Sequence, residues 1–267
     1  MEDVVLSLVQ MQSELGDLES NLDRMLEYVR SSSSDIICFP EMCITGYDSK
    51  MSHLYAMDIS NPIICELRKA ATRYDRDIVF GFPEESCDEA YITQAIAGCD
   101  GTIAIYRKTH LGLLEKRSFS PGDEFIVKET RKANVGLELC WEGHIPEIST
   151  CLRVKGADMI LIPHASFMGP KDRIEKWMRF LPARAYDNRV FVAACNAISG
   201  TVGGGTLILD PRGEVMALND TNEESMTTVS LRKEMLSRVQ REGRRSMKDM
   251  DFFEARRPEL YQDITRN

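Results

Sequence analysis

Apolar runs rich in β-branched residues alternate along this chain with stretches whose apolar residues recur at helical spacing. Such alternation marks strand-helix-strand units around a parallel or mixed sheet, so the pattern predicts an α/β protein. Val4 to Val9 predicts the first strand, and Leu18 to Arg30 a helix with Leu18, Leu22, Met25 and Val29 along one face. Ile36 to Phe39 predicts the next strand, which Pro40 ends. A helix over Pro62 to Tyr74 precedes a strand at Ile78 to Phe82. Ile92 to Ala97 and Thr102 to Tyr106 then read as a hairpin turning at Cys99, Asp100 and Gly101.

From Leu111 to Glu124 no period is sustained, and Ser120, Pro121, Gly122 and Asp123 form a turn cluster. Long structured loops in compact domains are often functional, so this one is expected to border a site. The second half repeats the theme in order, though not in sequence. It has strands at Val135 to Leu139, Met159 to Pro163 and Val190 to Asn196, with helices at Ile145 to Val154 and Asp172 to Asp187. Further strands at Thr206 to Leu209, Val215 to Leu218 and Met226 to Val229 lead to a helix near Leu231 to Arg241 and an irregular tail. The Ser31 to Ser34 run is a helix exit, too short for a hinge, so a single domain over residues 1–267 is expected.

A composition of 43% hydrophobic and 28% charged residues supplies an extensive core without disulfide or metal staples. The formal net charge of -9 leaves no overall positive field for phosphate backbones, so nucleic acid is not expected as a partner. The cluster Arg241, Arg244, Arg245 is diluted by Glu242 and reads as a solvated helix face. The N-terminus starts acidic with no basic leader, and no apolar run approaches ~18 residues, so neither export nor membrane insertion is expected. The eight cysteines are scattered, mostly within apolar segments, and read as reduced thiols of a cytoplasmic protein. Cys38 and Cys43 lack a second ligand pair at zinc-site spacing, so no metal and no cofactor is expected.

Three reactive side chains stand directly after predicted strands: Glu41, Lys108 and Cys140. Strand ends are where binding crevices form in α/β sheets. A carboxylate, an amine and a thiol brought to one rim make a base, an electrostatic stabiliser and a nucleophile, which suffice for acyl transfer. Singly, each has another reading: Glu41 as a turn cap, Lys108 as a solvated strand end, Cys140 as a small buried hydrophobe.

The text around the three is more specific. FPEMCITGYD around Glu41, YRKTHL around Lys108 and ELCWEGHIPE around Cys140 resemble, in order, the three signature segments of the nitrilase superfamily of carbon-nitrogen hydrolases. EKRSFSPGDEF, PARAYDNRVFVAACN, GGGTLILDPRGEV and RRPELY extend the likeness from Val4 to about Tyr261. The resemblance implies a four-layer α-β-β-α sandwich of two mixed sheets covered by helices. It also implies a homodimer or higher homo-oligomer, with a C-terminal tail at 251–267 that packs on the partner subunit.

By the same resemblance, Glu41 takes the proton of Cys140, Lys108 lowers the thiol pKa and stabilises the oxyanion, and the backbone N–H of Trp141 is a second oxyanion donor. Glu41 then protonates the leaving amine, ammonia departs, and a thioester on Cys140 is hydrolysed. Glu115 matches a second glutamate beside the lysine, orienting Lys108 or substrate. Tyr47, His164, Ala165, Ser166 and Phe167 match pocket-lining positions, and each could equally pack locally. A Cys-His alternative would use His110, His144 or His164 as base, with no local support.

YRKTHL and HIPE are similar to the amidase and carbamoylase branches, whereas Cys140-Trp141-Glu142 resembles the nitrile hydrolases. The expected substrate is a small amide or N-carbamoyl compound, with a nitrile as the alternative. An acid-bearing substrate would need a cation, for which Arg173 and Lys171 are candidates unless both are exposed. A silent scaffold on the hydrolase fold and an acyltransferase are the remaining readings.

Overall fold

The computed structural model describes residues 1–242, 253 and 255–265. Arg244, Arg245 and, in the predicted tail, Asp251, Phe252, Glu254, Arg266 and Asn267 lie outside the described residues. The chain opens with β1 (Val4–Gln10), α1 (Leu18–Ser31), β2 (Ile36–Cys38), α2 (Pro62–Arg73), β3 (Asp77–Ser86), β4 (Glu89–Ala97) and β5 (Ile103–Arg107). There follow β6 (Val127–Glu129), β7 (Asn134–Leu137), α3 (Pro146–Val154), β8 (Met159–His164), α4 (Pro170–Trp177), α5 (Leu181–Asn188) and β9 (Phe191–Asn196). The last elements are β10 (Ile198–Ser199), β11 (Val202–Gly203), β12 (Thr206–Leu209), β13 (Val215–Asn219), β14 (Ser225–Leu231) and α6 (Lys233–Glu242).

The strands form two six-stranded sheets, ordered β14-β1-β2-β3-β4-β5 and β13-β12-β9-β8-β7-β6, beside a small β10-β11 ribbon. In the first sheet β1, β2 and β3 run parallel, as do β7, β8 and β9 in the second, with antiparallel strands outside them. Side-chain alternation assigns the layers. Ile36 and Cys38 join the core shared by the two sheets, while Ile37 and Phe39 join Met25, Val29, Ile64 and Leu67 under α1 and α2. Met159 and Leu161 likewise face the shared core, and Ile160 and Ile162 pack under α3, α4 and α5. The central strands therefore bury both faces, and the order of layers is α-β-β-α, as expected.

Local signals explain the helix starts. The Asp17 side chain accepts from Ser20 N at 3.3 Å, and the Asn61 side chain accepts from Ile63 N at 3.0 Å with Pro62 in the first turn. The one long helix expected at Asp172 to Asp187 is two, α4 and α5, separated at residues 178–180. Pro182 is the physical reason: it has no N–H to give to the preceding turn, and its ring would meet the carbonyl four residues back. The strand expected to stop at Phe82 continues to Ser86 and returns through a two-residue turn at Cys87 and Asp88, both with positive φ (52° and 64°). A left-handed pair of this kind matches the twist of a tight hairpin.

Candidate active site

The segments that leave β2, β5 and β7 converge. Glu41 follows β2 in a turn whose next residue, Met42, has φ 58°, and Cys140 opens a 3-10 turn (Cys140–His144) with φ 54°. A non-glycine residue held in the left-handed region stores about 1–3 kcal/mol of strain and persists only where its surroundings fix it. Lys108 follows β5 with its N–H bonded to Ile92 O at 2.8 Å, and its side chain is buried.

The Lys108 ammonium donates to Glu41 Oε1 at 2.8 Å and to Glu115 Oε1 at 2.9 Å, all three groups being buried. Glu115 is fixed in turn by Gly112 N at 2.6 Å on Oε2 and by the Tyr47 hydroxyl at 3.1 Å on Oε1. Glu41 Oε2 accepts from Ala165 N at 3.1 Å, so the carboxylate bridges the two sheets. The irregular segment 111–124 thus delivers Glu115, and its path is pinned where Ser120 N reaches Ala90 O and Gly122 N reaches Lys108 O.

Charges follow from this geometry. Burial of Glu41, helped by Glu115, raises its carboxyl above the ordinary value despite the opposing pull of Lys108. Burial opposes the charge on Lys108, but the carboxylates of Glu41 and Glu115 outweigh it and hold the ammonium charged. Burial and the Glu41 carboxylate push the Cys140 thiol up to about 12, against the downward pull of Lys108 and Arg173. Lys108 does pull the thiol down, but burial and the carboxylates of Glu41 and Glu115 outweigh Lys108 and Arg173 together, so the net displacement is upward.

A cavity of about 350 Å³ opens beside Glu41, lined also by Tyr47, Ala165, Ser166, Phe167 and Ile198. His164 is not among its lining residues. Its buried ring pairs Nδ1 with Ile162 O at 2.7 Å, and its Nε2 receives the Trp177 indole N–H at 3.0 Å, so its polar atoms are spent within the fold. His144 lies against Phe180 at 3.9 Å between ring centroids, and burial together with Arg173 keeps it neutral. Among the described residues no hydrogen bond joins His110, His144 or His164 to Cys140. The Trp141 indole is partly exposed in a separate hollow near His110, while its N–H, in the first positions of the 3-10 turn, has no intrahelical acceptor.

Sequence reasoning missed Glu142. Its fully buried carboxylate accepts from Leu139 N and the Tyr106 hydroxyl on Oε2, each at 2.8 Å, and from Thr109 N, Thr109 Oγ1 and His110 N on Oε1. Burial opposes its ionisation, yet the hydrogen bonds from His110, Thr109 and Leu139 win and lower its pKa. The signal for it in the sequence is the Cys140-Trp141-Glu142 triplet itself.

A match to the Carbon-nitrogen hydrolase family spans residues 5–241. The chain belongs to the carbon-nitrogen hydrolase family. Among its relatives, the (R)-stereoselective amidase of Pseudomonas sp is 28% identical over 220 residues, 79% of each chain. The omega-amidase NIT2 of Homo sapiens is 29% identical over 240 residues, covering 82% of this chain and 85% of that one. The amidase of Nesterenkonia AN1, from the nitrilase superfamily, superposes with a TM-score of 0.82 at 23% identity over 97% of this chain and 96% of that one. This likeness is one of fold. A further structure of that amidase, at a TM-score of 0.81 and 23% identity over 97% of this chain and 95% of that one, carries the acetamide moiety of fluoroacetamide covalently on its active-site cysteine. As a carbon-nitrogen hydrolase, the present chain places its candidate thiol where β7 ends. No helix among the described residues is long and apolar enough to cross a membrane.

Proposed function

We propose that this carbon-nitrogen hydrolase cleaves a small amide or N-carbamoyl compound through a thioester on Cys140, with release of ammonia. Glu41 takes the thiol proton as the sulfur attacks the carbonyl, and the new oxyanion is held by the Lys108 ammonium and the Trp141 N–H. Glu41 returns the proton to the departing nitrogen, ammonia leaves, and water activated by the same carboxylate releases the acid. Glu115 keeps Lys108 in place, while Tyr47, Ser166 and Phe167 shape the cavity; His164 supports the wall from behind. The observation that supports the reading is one ammonium held between two buried carboxylates, with the Cys140 thiol within their electrostatic reach, an arrangement suited to proton transfer without a histidine.

Nitrile hydrolysis gains little from the Cys140-Trp141-Glu142 triplet, since Glu142 is occupied by backbone donors. Eight unpaired cysteines, one of them the proposed nucleophile, suit a reducing cytoplasm. Exposed Leu260 and Ile264 in the tail suit packing on a second copy in a homodimer.

The test is ammonia release from a panel of small amides, N-carbamoyl amines and nitriles, run with wild type beside Cys140→Ala. Release from an amide or N-carbamoyl compound that disappears in the variant is expected. Release that persists in the folded variant overturns the mechanism.

A further inference from the structure

Arg173 and Lys171 part company in the fold. Lys171 is exposed on the first turn of α4, whereas Arg173 is buried to within 7% of its surface. Its guanidinium lies 5.7 Å from the centre of the Trp177 ring and donates through Nη2 to Ser166 Oγ. Among the described residues no carboxylate pairs with it, and its buried Nε has no hydrogen-bond partner. A buried charge without a counter-ion is costly, and its usual resolution is an anion.

Ser166 connects that charge to the cavity, which it lines. Its Oγ accepts from Arg173 Nη2 and, at 3.3 Å, from Met168 N, so neither bond uses the hydroxyl proton. Its backbone is held on both sides by Asn196, whose Oδ1 takes Ser166 N at 2.8 Å and whose Nδ2 gives to Ser166 O at 3.0 Å. A hydroxyl fixed in place, polarised by a guanidinium and free to donate suits an acceptor of negative charge. Two acids line the cavity: Glu41, whose oxygens are engaged by the Lys108 ammonium and Ala165 N, and Glu14, which is exposed and engaged by Gln12 Nε2 at 2.6 Å.

We infer that the acyl part of the substrate carries a carboxylate, which seats on the Ser166 hydroxyl with the Arg173 guanidinium behind it. This rests on the reading of the site as an amide hydrolase and names the class of its substrate. Arg173 acts as a specificity determinant: Ser166, to which it donates, lines the same cavity as Glu41, so the carboxylate and the scissile carbonyl belong to one short molecule.

The experiment compares succinamate with butyramide, which has a methyl in place of the carboxylate, in the full-length wild type, Arg173→Met, Arg173→Lys and Ser166→Ala. Wild type should prefer succinamate in kcat/KM. Arg173→Met should cut that preference by about ten- to a hundred-fold, mainly through KM, as the loss of a charge-assisted hydrogen bond implies. Arg173→Lys should retain part of it. An equal ratio in wild type and Arg173→Met overturns the inference. Thermal-shift titration of Cys140→Ala with succinamate reads the subsite without turnover: the melting temperature should rise, and should not rise in Cys140→Ala/Arg173→Met. A binding response with no ammonia release by wild type would sink the hydrolytic reading alone, and no response in Cys140→Ala would sink the subsite.

Discussion

Glu142 holds Thr109 by two hydrogen bonds, from the Thr109 N–H at 2.9 Å and from its hydroxyl at 2.7 Å. Thr109 is the residue after Lys108, and Glu142 lies two residues after Cys140. The turn carrying the nucleophile is thereby joined to the segment carrying the ammonium. Glu142→Ala would strand the buried Leu139 N–H and the Tyr106 hydroxyl as well, and a broken buried charge network costs about 3–5 kcal/mol. The expected outcome is a lower unfolding midpoint together with a fall in kcat that exceeds any rise in KM. Glu142→Gln should fall between, since its amide keeps one accepting oxygen. Unchanged kinetics in a folded Glu142→Ala protein would show that the two segments hold their places without it.

Protonation states at the site predict the pH profile of hydrolysis. Activity requires an ionised Glu41, and burial raises its pKa, so the acid limb should lie above that of an ordinary carboxylic acid. As pH falls through this raised value the base is lost and kcat/KM declines. No alkaline limb from free thiolate should appear until near pH 12, where Cys140 titrates. Steady-state rates across pH, with Glu41→Gln as control, check this. Glu41→Gln should lose about 100-fold or more at every pH because an amide takes no proton.

The places where chemistry sits were legible because a strand end is a pattern feature: Glu41, Lys108 and Cys140 each close an apolar run that the eye can find. The layer order was legible for the same reason, since runs such as IICF and MILIP are apolar at successive positions, as strands covered on both faces must be. Long-range pairing was not legible. Glu142 meets Thr109 across 33 residues because two sheets face one another, and nothing near either residue announces the contact. His164 stands in a segment that resembles a pocket wall, yet its ring is claimed by Trp177 from a helix thirteen residues on. The break at Pro182 was written in the sequence; a period of helical spacing carried across it overrode the missing N–H. The Cys87-Asp88 turn lacks the Asn-Gly or Asp-Gly signature of its kind, so its left-handed backbone gave no local cue.

A second titration concerns stability. Glu138, on the segment between β7 and Cys140, is fully buried, with Ser149 Oγ at 2.5 Å from Oε1 and no partner for Oε2. Burial raises its pKa to about 8. The unfolded chain releases this proton near pH 4.5 and the folded chain keeps it, so folding stability contributed by Glu138 is lost as pH rises from about 4.5 to about 8. Glu138→Gln removes the titration. Its unfolding midpoint relative to wild type should therefore climb between pH 5 and pH 8, and a difference that stays flat across this window in calorimetry would refute the assignment.

Gly81 sets how closely β3 approaches the Glu41 turn. A Cβ built there would stand 2.4 Å from Met42 N and 3.1 Å from the Glu41 carbonyl carbon, both backbone atoms that cannot swing aside. Gly81 O also accepts from Ile44 N at 3.1 Å, tying the strand to the same turn. Gly81→Ala must push the turn away, an overpacking that typically costs about 1–3 kcal/mol. It should also shift the Glu41 carboxylate relative to Lys108 and Ala165 N, so kcat should drop even in protein that remains folded at the assay temperature. Gly156→Ala provides the comparison: Gly156 sits at a helix exit far from this chemistry, with φ +95° and no backbone atom within 4 Å of the added methyl. It should lower the unfolding midpoint through backbone strain alone. If the two variants lose stability and kcat in the same proportion, the close packing at Gly81 has no particular hold on the base; a kcat deficit confined to Gly81→Ala would show that strand β3 fixes where Glu41 stands.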